Sequence, residues 1–523
     1  MKFEIRFKKD EHFWGGPTVF AFEDMPITSG SNYKRDCRIE PRNQFMPLFL
    51  SDKGRYVWSD DAFNVWVEKD KLCFDGNGGF ELYEDGKCLR DAYLAAMEKH
   101  FPFKESRVGG KKLPRKFFTT AQYNTWMEFT YNPTQKGVLE YAHAIVDNGF
   151  EPGILIIDEG WHTRYGQWKF DFAKFPDPKA MIDELHALGF TVMLWITPLV
   201  TADGQDVIMS IMPHLCKEPG KNFLRDKNGE IAIVKWWNGF SAILDLRKES
   251  DREYLGSKLN YLMREYGVDG FKFDGGSYAM YRPDHMVNAE PADDHDPKAL
   301  NIAWNEFGAK YEYHEYKDTF MGGGKSTIQR LCDRHHSWEG GGIDTVIPCS
   351  IMQGLVGHPF ICPDMIGGGE WSHCLRPGFE IDEELFVRMA QTSALFPMMQ
   401  FSWAPWRVLS KKSFELIKNA AMLHKSMANE IVALVEDAEK TGEPILRSLE
   451  YNDPGHGYST VKDQFMLGTD ILVCPVITKG TFEKEVVFPK GKWIDTDGNI
   501  YEGRSVAKIK TPLDRLAWFR RMI

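Results

Sequence analysis

Two nearly unbroken apolar runs constrain this chain more than any other feature. One is Ile154-Leu155-Ile156-Ile157, ending in Asp158. The other is Phe190-Thr191-Val192-Met193-Leu194-Trp195-Ile196. A strand that is apolar on both faces has to be covered on both, as parallel strands joined by helical crossovers are. The segment between the two runs supplies such a crossover. Asp177-Pro178 offers a capping carboxylate and a proline for the first helical turn, and Gly189 closes the helix. The same rhythm extends from about 115 to about 430. Residues 117–124 read as strand, 133–148 as helix with Thr134 and Gln135 near its start, and 249–266 as the helix before the strand that ends at Asp274. Further strands are expected at 327–332, 359–362 and 396–401, with an eighth near 318–321. Eight strands alternating with helices specify a (β/α)8 TIM barrel.

Short alternating runs such as Gly54-Arg55-Tyr56-Val57-Trp58, with frequent turn residues, predict a β-sandwich over 1–112. Gly109-Gly110-Lys111-Lys112-Leu113-Pro114 reads as a linker. Alternation returns after about 430, for example in Lys484-Glu485-Val486-Val487-Phe488, and predicts a small C-terminal β domain. The expected class is therefore α/β, with a sandwich over 1–112, a barrel over 113–430 and a β domain over 431–523. Residues 203–240 form a long excursion between barrel elements, the kind that shapes a site.

Net charge is −11 without a Lys/Arg tract, which argues against nucleic-acid and anionic-membrane partners. The nine cysteines carry no CxxC pair and no zinc-like spacing, and the first ten residues hold no apolar signal core. Together these predict reduced thiols in a cytoplasmic protein. No run reaches the roughly 18 apolar residues of a membrane span. His335-His336 is the only paired histidine at a strand end, and its neighbours point apart, so no metal is expected. No phosphate loop or dinucleotide fingerprint occurs, and no cofactor is expected. The expected partner is a small-molecule ligand, with a homo-oligomer admitted.

Carboxylates end the predicted strands. Asp274 follows Phe271-Lys272-Phe273 and precedes Gly275-Gly276. Asp158 ends its run, Asp333 follows Arg330-Leu331-Cys332, and Asp364 follows Cys362-Pro363. The C-terminal rim of barrel strands is where chemistry is built. A lone strand-end Asp is more often a cap, but four like charges on one rim cost energy unless a ligand uses them. Lys272 shares a strand face with Asp274 and is expected to hold it ionised. A carboxylate pair of this kind suits retaining glycoside hydrolysis, one attacking the anomeric carbon and the other protonating the leaving oxygen.

The motifs Val234-Lys235-Trp236-Trp237-Asn238-Gly239, Phe271-Lys272-Phe273-Asp274, Arg330-Leu331-Cys332-Asp333-Arg334, Gly357-His358-Pro359 through Gly367-Gly368, and Met399-Gln400-Phe401-Ser402 resemble those of glycoside hydrolase family 31. The likeness is greatest to its subgroup of myogenesis-regulating and α-galactosidase-like glycosidases, and covers about 118–408. It implies Asp274 as nucleophile and Asp333 as acid/base. Asp344 is the rival for that second role; Trp338, five residues after Asp333, favours Asp333, and Asp344 is expected to cap a helix starting at Thr345. The resemblance further implies a substrate-binding set of Asp158, Trp195, Lys235, Trp236, Trp237, Lys272, Arg330, Asp364 and Ser402. Ser402 stands where the family's glucosidases carry a histidine, and Lys272 where they carry a tryptophan or similar residue. Lys-x-Asp at the nucleophile resembles neighbouring α-galactosidases, so an axial 4-hydroxyl, as in galactose, is the expected specificity. α-Glucosidase or α-xylosidase is the alternative, and a non-catalytic glycan-binding barrel a remoter one.

Overall fold

Register in the central parallel strands aligns their C-terminal ends and so sets the site. In the computed structural model, residues 1–39, 42–101, 112–204, 207–208, 223–287 and 290–522 are described. Residues 109–111 of the expected linker and much of the 203–240 excursion lie outside the described residues. The chain divides into two compact units, Tyr123–Met321 and Met1–Gln122 with Gly322–Ile523.

Within Tyr123–Met321, strands β1 (Gln122–Asn124), β2 (Ile154–Ile157), β3 (Thr191–Ile196), β7 (Gly270–Phe273) and β8 (Tyr313–Tyr316) pair in parallel in that order. Helices α1 (Gln135–Asp147), α2 (Pro178–Ala187), α3 (Glu249–Tyr266) and α4 (Pro297–Gly308) are the crossovers. Thr134 accepts from the Gly137 amide and Asp177 from the Ala180 amide, so the capping residues read from sequence do cap. After β3 the chain forms an antiparallel sheet of β4 (Leu199–Thr201), β5 (Ile233–Trp236) and β6 (Gly239–Ile243), with β6 in the middle.

The other unit holds two four-stranded antiparallel sheets before residue 84, the expected sandwich, and a helix, Leu89–His100, that the sequence reading lacked. It also holds β9 (Gln329–Arg330), α5 (Ile343–Leu355), β10 (Ile361–Cys362), β11 (Met365–Ile366) and β12 (Gln400–Phe401). β9 pairs in parallel with β10, and β11 with β12. Helices Lys411–Ser426 and Ala428–Thr441 carry the chain past 430, and the alternating strands begin at Leu446. Their core is built on Met466, Leu472, Val486, Phe488, Trp493 and Phe519.

Three expectations move. Phe117 lies in a helical turn, Lys116–Thr119, and the strand starts at Gln122. A strand does lie within the expected 318–321, at Thr319–Phe320, but outside the parallel sheet; the sheet's strand is β8, at 313–316, where Tyr313-His314-Glu315-Tyr316 carries polar side chains that its neighbours bury. Asp344 sits inside the first turn of α5, where its carboxylate accepts the Gly340 and Gly342 amides at 2.9 and 3.0 Å.

No disulfide joins the described cysteines. Among the described residues no helix is long and apolar enough to cross a membrane.

Candidate active site

Ile157 pairs with Leu194 and Trp195 with Lys272, so one step past the end of β2 Asp158 lies level with Trp195 and Lys272. Adjacent parallel residues share a face. Asp158, Trp195, Lys272 and its partner Glu315 therefore form one row, and all four are buried. The Lys272 ammonium donates to Asp158 Oδ2 at 2.6 Å. Asp158 is held further by its own backbone: its amide donates to Thr125 Oγ1, and its Oδ1 accepts the Glu159 amide. The ion pair of Lys272 is thus with Asp158, whereas the sequence had assigned its charge to Asp274.

Asp274 is fixed by other donors. Its amide donates to the Ile196 carbonyl at 2.8 Å, extending the β3–β7 pairing by one residue. Its Oδ1 accepts the Gly275 amide at 2.8 Å and its Oδ2 the Trp195 indole at 3.1 Å. Charge on the carboxylate is what these donors favour. Gly275 and Gly276 have φ of +64° and +60°, and a Cβ on Gly276 would fall 2.7 Å from the Trp304 ring, so glycine is required behind the carboxylate.

An aromatic wall continues from Trp195. Trp161 donates to the Trp195 carbonyl at 3.0 Å. His162 lies against Trp168, Tyr165 and Trp195, with ring centroids 4.9, 4.7 and 6.1 Å away. Burial pushes the His162 pKa down to about 3, so the ring is neutral. Tyr165 meets Trp236 edge-on at 4.9 Å, and Trp236 meets Trp237 at 4.9 Å. Trp236 is buried and donates to Ser241 Oγ, whereas Trp237 is half exposed. Lys235, on β5 between the buried Val234 and Trp236, is exposed.

Glu159 and Glu315 are buried carboxyls that the sequence reading passed over. Glu159 is pushed up to about 8 by burial, with Asp158 and Asp274 acting in the same direction. Adjacency to Asp158 was the available signal for Glu159. Nothing local marks Glu315.

In the other unit, Arg330 is fully buried and donates through Nη1 to Asp333 Oδ1 at 2.9 Å and to Asp364 Oδ1. The Arg334 amide donates to Asp364 Oδ2 at 2.7 Å. Burial raises the Asp364 pKa, and Arg330 opposes that shift. Asp364 has φ +83°, a strained value for a non-glycine residue. A Cβ on Gly369 would lie 2.9 Å from Asp364 Oδ1 and 3.3 Å from Asp333 Oδ1, so that glycine's bareness lets the two carboxylates stand together. Trp338 donates to Asp382 rather than to Asp333. Asn43 and Gln44 of the N-terminal region donate to the Arg330 carbonyl, and Asn43 accepts the Cys332 amide. Ser402 is buried just after β12.

Among the described residues no group of three or more His, Cys, Asp or Glu side chains has metal-holding geometry.

Residues 112–424 match the model of the glycosyl hydrolases family 31 TIM-barrel domain. The chain belongs to that family. Residues 442–522 match the family 31 C-terminal domain. This family 31 chain is 30% identical over 432 residues to the myogenesis-regulating glycosidase of Mus musculus, covering 81% of this chain and 58% of that one. It is 25% identical over 553 residues to alpha-glucosidase 2 of Bacillus thermoamyloliquefaciens, covering 97% and 66%. Its fold is similar to that of the Flavobacterium johnsoniae GH31 dextranase complexed with glucose, with a TM-score of 0.81 and 18% identity over 99% of this chain and 66% of that one. The chain thus spans 58% to 66% of these relatives' lengths. The expected class holds: a TIM barrel with an N-terminal sandwich and a small C-terminal β domain.

Proposed function

We propose that this chain is a retaining exo-α-glycosidase that removes terminal α-linked galactose. The observation that carries the reading is Asp274, fixed by two donors at the end of β7, beside the buried Lys272–Asp158 pair. Asp274 attacks the anomeric carbon and forms a glycosyl ester. Asp333, protonated, gives its proton to the departing glycosidic oxygen. It then takes a proton from the water that opens the ester, which restores both carboxyl groups. Arg330, shared by Asp333 and Asp364, offsets their mutual repulsion.

The preference for galactose rests on Lys272 with Asp158. A paired ammonium and carboxylate offer a donor and an acceptor side by side, which suits an axial 4-hydroxyl flanked by the equatorial 3-hydroxyl. A second reading, α-glucosidase, is favoured by the Bacillus relative, named an alpha-glucosidase, whose alignment covers 97% of this chain. Initial rates on p-nitrophenyl α-galactoside and α-glucoside, with Asp274→Ala as blank, decide between them. A first-formed product of the α-configuration, seen by proton NMR, is expected for retention; a β-product overturns the double displacement.

A further inference from the structure

The tip of the β5–β6 hairpin is a two-residue connection, Trp237-Asn238, since Trp236 pairs with Gly239. Asn238-Gly239 suits a tight turn, and Gly239 has φ +94°. The tip is also tied down from below. Glu159 Oε1 accepts the Tyr165 hydroxyl at 2.6 Å and the side-chain amide of Asn238, the residue next to Trp237. Tyr165 in turn packs edge-on against Trp236. Burying a carboxyl is costly, and all the bonds named for this side chain go to the hairpin tip and to Tyr165.

Resting on the glycosidase reading above, we propose that Glu159 is a positioning residue that fixes the half-exposed Trp237 indole as the platform for the leaving-group sugar. Indole faces are suited to the apolar face of a pyranose, and only a pinned ring offers that face without an entropic penalty. The charged and titratable groups facing Glu159 are Asp158 on the preceding residue, Asp274 at the end of β7, and Tyr165. Lys174 donates to the Tyr131 and Gly160 carbonyls and so does not neutralise it. The bonds named here are both accepted by one carboxyl oxygen, and glutamine keeps such an oxygen whereas alanine does not.

The experiment compares kcat/KM on an α-galactosyl disaccharide and on α-galactosyl fluoride, which has no leaving-group sugar, with the α-glucosyl pair run alongside. Glu159→Ala and Trp237→Ala are each expected to lose at least tenfold more on the disaccharide than on the fluoride, mainly through KM. Glu159→Gln, which keeps an accepting oxygen for Tyr165 and Asn238, should retain the wild-type ratio. Equal losses on both substrates in Trp237→Ala, which sits at the surface and should fold, overturn the platform. If wild type turns over no fluoride, the glycosidase reading has failed, and the tie-down is read separately from tryptophan emission. A change in the Trp237-dependent emission in Glu159→Ala, absent in Glu159→Gln, supports it; emission unchanged in Glu159→Ala overturns it.

Discussion

Lys272 and Asp158, 114 residues apart in sequence, form a buried ion pair at 2.6 Å that crosses the strand between them. Their side chains are only 4% and 3% exposed, so neither charge can fall back on solvent. Removing one partner leaves the other as an uncompensated buried charge. Lys272→Met and Asp158→Asn should each destabilise the fold by about 3–5 kcal/mol. The double variant should lose less than the sum. Thermal unfolding followed by tryptophan emission measures this, and strictly additive losses would mean that the pair is not coupled.

Asp274→Ala should lower kcat by roughly 10⁴-fold or more, because the nucleophile acts as a unit with the acid/base. Its midpoint of unfolding should stay within a few degrees of wild type. Substantial residual turnover, after contaminating activity is excluded, removes Asp274 from the nucleophile role.

Asp333→Asn should cost about 10²–10⁴-fold on substrates with a poor leaving group. The loss should be much smaller on aryl glycosides or fluorides, whose leaving groups need little protonation. A uniform loss across leaving groups would indicate that Asp333 is not the acid.

Gly369→Ala places a methyl 2.9 and 3.3 Å from the Asp364 and Asp333 carboxylates. At least a tenfold fall in kcat/KM is expected, with circular dichroism unchanged. Wild-type activity would show that the two carboxylates can separate without harm.

Glu159 has a folded pKa of about 8 against an ordinary 4.5. The folded chain holds a proton that the unfolded chain releases, so this stabilisation is full below about pH 4.5 and is lost as pH rises towards 8. Glu159→Gln should therefore flatten the fall of the unfolding midpoint between pH 5 and 8.5. An identical slope in both proteins would count against a buried acid at this position.

The sequence alone determined the barrel, the sandwich before it and the β domain after it. It also placed Asp158, Asp274, Asp333 and Asp364 at strand ends, because apolar runs closed by a carboxylate are local patterns. The helix caps Thr134 and Asp177 were legible for the same reason. Strand β8 was not, since Tyr313-His314-Glu315-Tyr316 is apolar in environment rather than in composition. Nor could periodicity say which carboxylate Lys272 would meet. Alternation along a strand gives the face a side chain takes, but partners on that face are set by register between strands far apart in the chain. That register gave Lys272 to Asp158 and Trp195 to Asp274. Tertiary packing likewise decided that Lys235 is exposed while Glu159, marked in the sequence only by its place next to Asp158, is buried and bonded to Asn238 of the hairpin turn.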